Sequence, residues 1–135
     1  MATVSLINYE DASPEVQAVF DDIKRTRNVP DVNNFWKALA NHSETLKRTW
    51  ETLREVMRPG ALDPLTKEMI YIAVSVANNC DYCIHSHTAA ARAKGMTDAQ
   101  HQELLAVIGM ASQTNALSTA MKVPVDPQFL VDSGR

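Results

Sequence analysis

Cysteine is nearly absent from this chain of 135 residues: there are two, Cys80 and Cys83, three positions apart. That is too few for the disulfide frameworks that staple small secreted domains, and in a reducing compartment a close pair signals redox or metal chemistry instead. Long apolar runs are missing as well. The longest apolar-rich stretch, Met69 to Ala77, falls far short of the ~20 residues that a membrane-spanning helix needs. Met1 to Glu10 carry no Lys or Arg and no apolar core, so no ordinary secretory signal is expected and the cytoplasm is the expected compartment. Blocks of like charge are lacking too. The formal net charge is −3, with acidic and basic residues interspersed from Glu15 to Glu103, a surface that neither nucleic acid nor an anionic membrane selects. No internal repeat or low-complexity tract is evident. The length suits one domain, residues 1–135, large enough to bury a core without staples.

Helix punctuation, in contrast, is plentiful. Ser13 and Pro14 read as an N-cap and a first-turn proline, and Val16, Val19, Phe20 and Ile23 repeat at the helical period, predicting a helix to about Arg27. Asn28, Pro30 and Asp31 break the chain, after which Phe35, Trp36 and Leu39 suggest a short helix ending near Asn41. Ser43 is placed to cap a third helix, with Leu46, Trp50, Leu53 and Met57 as its apolar stripe and Lys47, Arg48, Glu51 and Arg54 solvated; Pro59 and Gly60 end it. Asp63 and Pro64 open a fourth helix, through Tyr71, Ile72, Val74, Val76 and Ala77, which is apolar nearly all round and so expected to be buried. Its β-branched content would also suit a buried strand, but the cap and the length favour helix. Asn78 and Asn79 interrupt it. A fifth helix is predicted from about Cys80 to Lys94, with Gly95 as a left-handed stop. Thr97 and Gln100 have capping-box spacing for a sixth, with Leu104, Leu105, Val107 and Ile108 apolar, weakened at Gly109 but reaching toward Met121. Pro124 and Pro127 forbid regular helix in the tail, residues 122–135, where Phe129, Leu130 and Val131 form an apolar cluster suited to docking on a neighbouring surface. The fold class is all-α, a bundle of about six helices.

Residues three and four apart share a helix face, so Cys80, Cys83 and His87 form one row at the start of the fifth helix. The helix N-terminus carries unpaired N–H groups and partial positive charge, which favours thiolate over thiol and lowers a cysteine pKa from its free value of ~8.5. The two-residue spacer also permits a disulfide, so the pair can cycle between dithiol and disulfide. His87, with the ~6.5 pKa of a free imidazole, suits proton exchange near neutrality. Glu68 lies early in the apolar fourth helix. A carboxyl buried there is costly unless hydrogen-bonded, and burial is expected to raise its pKa into a range useful for shuttling protons. The turn at Asn78 and Asn79 folds the fifth helix back on the fourth and can bring Glu68 toward the cysteines.

Plainer readings exist for each group. A lone Glu in an amphipathic helix is usually a solvated surface residue, His42, His85 and His101 suit surface or structural roles, and Asp81 complements the helix dipole. Two buried cysteines can simply pack as small hydrophobes. Cys80, Cys83 and His87 can also ligate zinc, with Glu68 or His85 as fourth ligand, although zinc knuckles tend to draw ligands from two separate segments.

The run from Glu68 through MIYIAVSVANNCDYCIHSHTAAARAKGMT resembles the core of the AhpD-like alkylhydroperoxidases, within the carboxymuconolactone decarboxylase superfamily, whose motif is a Glu, eleven residues, then CxxCxxxH. Glu68, Cys80, Cys83 and His87 match that motif, and the similarity is strong over about Leu62 to Gln100. The resemblance implies an all-α fold whose core is completed by oligomerisation, as a trimer or, for a chain this short, a hexamer. It implies a thiol-dependent peroxidase or disulfide oxidoreductase without a cofactor. Cys83 would attack a hydroperoxide and become a sulfenic acid; Cys80 would first transfer a proton, then resolve it as a disulfide; Glu68 and His87 would relay protons. The implied reductant is an external dithiol such as a lipoyl protein, and a peroxiredoxin is a further implied partner. Two departures bear on this. Tyr82 stands where the best-studied members have a His, so the relay must be shorter or use the phenol or water, and the chain is shorter than the two-lobed members. Alternatives from other classes are a non-catalytic zinc-binding or redox-sensing oligomer and a lactone decarboxylase, although the decarboxylases lack the CxxC pair.

Overall fold

The computed structural model describes residues 1–130. Among them are six α-helices and no strand. They form two compact units, Met1–Arg58 and Pro59–Arg135.

The first unit holds a 3-10 turn, Tyr9–Asp11, and three helices: α1 (Pro14–Arg27), α2 (Asn34–Leu39) and α3 (Ser43–Met57). The Ser13 side chain accepts a hydrogen bond from the Val16 N–H, and Pro14 fills the first helical position, where a missing donor costs nothing. The cap of α3 differs from expectation: His42, not Ser43, stands outside the helix, and its Nδ1 accepts from the Thr45 N–H at 3.3 Å. A neutral imidazole nitrogen serves that orphan donor as a hydroxyl would. Val16, Phe20, Ile23, Trp36, Leu46 and Trp50 close the core of this unit, with the Trp36 and Trp50 rings edge to face at 5.5 Å. The Trp50 indole N–H donates to Asp22 at 2.7 Å, and Arg25 and Arg54 pair with the same carboxylate. The hydrogen bond from Trp50 leads in holding the Asp22 pKa below the ordinary carboxylate value; burial opposes it and the charges of Arg54 and Arg25 assist.

The second unit holds α4 (Pro64–Ala77), α5 (Asp81–Ala93), α6 (Asp98–Met121) and a 3-10 turn, Pro127–Phe129. The Asp63 side chain caps α4 through the Thr66 N–H at 2.9 Å, and Thr97 and Gln100 form a complete capping box on α6. Two Schellman motifs set the path between these caps. At the end of α4 the Cys80 N–H reaches the Ser75 carbonyl and the Asn79 N–H the Val76 carbonyl, with Asn79 left-handed at φ 56°. At the end of α5 the Met96 N–H reaches Ala91 and the Gly95 N–H reaches Arg92, with Gly95 at φ 98°. Met96 then packs with Ala91 and Ile72 in the core of the unit, the apolar contact that usually accompanies this motif. The first motif leaves three residues, Asn78, Asn79 and Cys80, between the helices, so α5 doubles back antiparallel on α4.

Three expectations need correction or limits. The fourth helix is not buried all round: Glu68, Ile72 and Ser75 are buried, whereas Ile70 and Val74 are about half exposed, because its hairpin and α6 cover only part of its circumference. The sixth helix runs unbroken through Gly109, since the turns on either side carry a glycine at a cost of only ~1 kcal/mol, and none of its residues is buried. In the tail, Phe129 and Leu130 are exposed rather than docked, and Val131 lies outside the described residues. No helix among the described residues is long and apolar enough to cross a membrane.

Candidate functional site

All four motif residues lie on the α4–α5 hairpin, and local sequence explains each position. Cys80 is both the last residue of the Schellman turn and the N-cap of α5; its sulfur accepts from the Cys83 N–H at 3.3 Å. Cys83 sits in the first turn of α5, half-buried, and the two sulfurs are joined as a disulfide with their Cα atoms 5.2 Å apart. The pair thus occupies the positive end of the helix dipole, where a thiolate released by reduction is stabilised. Ser75, buried behind the turn, donates its hydroxyl to the Tyr71 carbonyl at 2.7 Å while its own carbonyl holds the Cys80 N–H.

His87 follows Cys83 by one turn on the same face of α5. Its Nδ1 lies 2.7 Å from Oε2 of Glu68, which comes across from the second turn of α4 and is only 5% exposed. A carboxylate can only accept, so Nδ1 carries the hydrogen and Nε2 is left as the acceptor of the neutral ring. The Tyr71 ring stacks on His87 with centroids 3.7 Å apart and planes 21° from parallel. From beyond the end of α5, Lys94 donates its ammonium to Oε1 of Glu68 at 3.1 Å. Both carboxylate oxygens therefore have a cationic or N–H partner.

That arrangement overturns the expectation that burial leaves the Glu68 pKa raised. Burial does push its pKa up and is the largest single influence, but the hydrogen bonds from His87 and Lys94, with their charges, outweigh it and hold the carboxyl below its ordinary value. The lowered pKa favours the carboxylate form of Glu68, hydrogen-bonded to the His87 ring. The sequence reading also missed Lys94 and Tyr71. A signal for both existed in spacing: Lys94 lies seven positions after His87 and Tyr71 three after Glu68, each in helical register with a motif residue of its own hairpin arm. Asp81 is an exposed first-turn acid, His85 is exposed, and His101 meets Arg92 at 3.4 Å. Among the described residues no three His, Cys, Asp or Glu side chains gather as metal ligands. A groove of about 570 Å³ between α1 and α3, lined by Glu15, Asp22, Lys47 and Arg54 among others, belongs to the first unit.

Comparison with known proteins points the same way. The model of the carboxymuconolactone decarboxylase family matches residues 44–126. The alkyl hydroperoxide reductase AhpD of Solibacter usitatus (strain Ellin6076) is 33% identical over 73 residues, 54% of this chain and 40% of that protein. Uncharacterized protein 4 in the cox locus of Paracoccus denitrificans is 40% identical over 50 residues, 37% of this chain and 45% of that protein. The matches thus span less than half the length of either curated relative. Among solved structures, the alkylhydroperoxidase AhpD core from Rhodospirillum rubrum ATCC 11170 superposes with a TM-score of 0.94 at 64% identity, covering 98% of this chain and 99% of that one.

Proposed function

Because the chain belongs to the carboxymuconolactone decarboxylase family and to its AhpD-like alkylhydroperoxidases, we propose that it is a thiol peroxidase working through the Cys80/Cys83 couple. The observation that carries this reading is the hydrogen bond between buried Glu68 and half-buried His87, one helical turn from a cysteine pair at a helix N-terminus.

In the reduced state the Cys83 thiolate attacks a hydroperoxide. The O–O bond breaks, an S–O bond forms, and the leaving alkoxide takes a proton to become an alcohol. Cys80, having given up its proton, then attacks the Cys83 sulfur; the S–S bond forms and the hydroxyl leaves as water. His87 accepts and returns these protons through Nε2, and Glu68 keeps the ring in the tautomer that makes this possible. The disulfide is then reduced by an external dithiol, of the lipoyl type, each turnover consuming one hydroperoxide and one dithiol. That requirement suits the cytoplasm, where dithiols are kept reduced. With Tyr82 before the second cysteine, the relay runs from Cys80 to His87 directly or through water.

Assembly belongs to the same reading. Ile70 and Val74 of α4, and Val107, Met110, Leu117 and Met121 of α6, present apolar side chains to solvent. A trimer or hexamer of the chain covers them and completes the pocket around the cysteines.

The test is peroxide consumption by purified protein with dihydrolipoamide as reductant, comparing wild type, Cys83→Ser and Glu68→Gln. Activity is expected to vanish in Cys83→Ser and to fall by about 100-fold or more in Glu68→Gln, the range general-base catalysis supplies. Undiminished turnover in Cys83→Ser would sink the reading. Lactone decarboxylation, the reaction in the family's name, needs no thiol and gives the cysteine pair no task.

A further inference from the structure

Glu68 is held from two sides, and the second holder is outside the motif. His87 occupies Oε2 at 2.7 Å and Lys94 occupies Oε1 at 3.1 Å. Lys94 is not there by chance of a flexible side chain alone. It is the C-cap of α5, its N–H bonded to the Ala90 and Ala91 carbonyls, in the Schellman turn that Gly95 closes and buried Met96 pins to the core. The backbone under the lysine is therefore fixed, and its ammonium also lies where a helix C-terminus favours a cation.

We infer that Lys94 is a positioning residue of the proposed reaction: its ammonium fixes the free oxygen of Glu68, so that the carboxylate orients His87 without having that ring as its only partner. A buried carboxylate with a histidine as sole partner draws a proton onto the ring and keeps it there. A permanent cation on the other oxygen lessens that draw, and a ring that must take and release a proton in each turnover needs the balance. The inference rests on the peroxidase reading for its consequence, and on geometry alone for the pairing.

Among the described residues, His87 from α5 and Lys94 beyond it bond the Glu68 carboxylate; from α4 the Tyr71 ring stacks on His87, the Cys80/Cys83 pair lies one turn before His87 along α5, and on α6 His101 meets Arg92. Lowering of the Glu68 pKa by Lys94, through both hydrogen bond and charge, agrees with the assignment.

The experiment compares Lys94→Met, Lys94→Gln and Lys94→Arg in the full chain. First, carbon-13 titration of the Glu68 carboxyl and nitrogen-15 spectra of the His87 ring are recorded on reduced protein without peroxide. The uncharged variants are expected to move the Glu68 midpoint to higher pH, and Arg to restore it toward wild type. Second, the rate of peroxide consumption is followed against pH. Removing a cation raises the pKa of every neighbour, so the acid limb moves up, costing the uncharged variants about threefold or more near about pH 5.5 relative to their alkaline plateau. A Glu68 midpoint unmoved in both uncharged variants would overturn the inference. If wild type consumes no peroxide at any pH, the functional reading fails by itself, and the carboxyl titration still decides the role of Lys94.

Discussion

Glu68 shows how a single side chain changes meaning once its neighbours are known. From sequence it is a carboxyl in an apolar helix, and burial alone argues for a neutral acid. Two donors on its oxygens reverse the sign. Its folded pKa lies below the unfolded one, so the stability it contributes is complete above the ordinary carboxylate range and is lost as pH falls through the folded value. Asp22, lowered first by the Trp50 hydrogen bond, behaves likewise. Chemical denaturation followed from neutral pH downward should show stability falling below about pH 4. Asp22→Asn should be less stable at neutral pH by about 1–3 kcal/mol, through loss of hydrogen bonds to a charged group, and its curve should be flatter at the acid end. An equally steep acid decline in that variant would mean that Asp22 contributes none of it. Trp50→Phe removes the same hydrogen bond while keeping most of the ring contact with Trp36. About 1–2 kcal/mol of lost stability is expected from equilibrium unfolding, against about 3–5 for Trp50→Ala.

The elements were the most legible part, because their signals are local. Ser13, Asp63, Thr97 and Gly95 each act on backbone groups within a few residues, so their caps and stops could be read directly. His42 escaped since Ser43 is the stronger cap former by type, and only the turn after α2 decides which residue stands outside the helix. The row Cys80, Cys83, His87 was legible from helical period. The return of α5 on α4 was legible in the Asn78-Asn79 turn, but the pairing of Glu68 with Lys94 was not, because it also depends on the second Schellman turn, which fixes the backbone under Lys94. Those turns are testable. Gly95→Ala meets no atom within 4 Å, so any cost is backbone strain at φ 98°, about 1–2 kcal/mol by thermal or chemical unfolding. Wild-type stability in Gly95→Ala would show that the turn relaxes. Asn79→Gly, at φ 56°, should be neutral or slightly stabilising, whereas Asn79→Val should cost more than Gly95→Ala and slow disulfide closure.

At the scale of the whole molecule, average hydrophobicity could not distinguish a helix that is buried within one chain from one covered by another. The fourth helix reads as uniformly apolar, yet Ile70 and Val74 face solvent, and α6 buries none of its residues across 24 positions. The proposed assembly accounts for both. Light scattering should therefore give a mass several times that of the 14.9 kDa chain, and Val74→Lys should lower it; a monomeric wild type would remove the assembly from the account. The most direct test of the central claim is the fate of the two sulfurs after one addition of hydroperoxide to reduced protein, followed by intact-protein mass spectrometry. Wild type should lose two hydrogens as Cys80 and Cys83 join, and Cys80→Ser should stop one oxygen heavier, with the sulfenic acid on Cys83. Free thiols persisting in wild type, or an oxygen that settles on Cys80 in Cys83→Ser as readily as on Cys83, would contradict it.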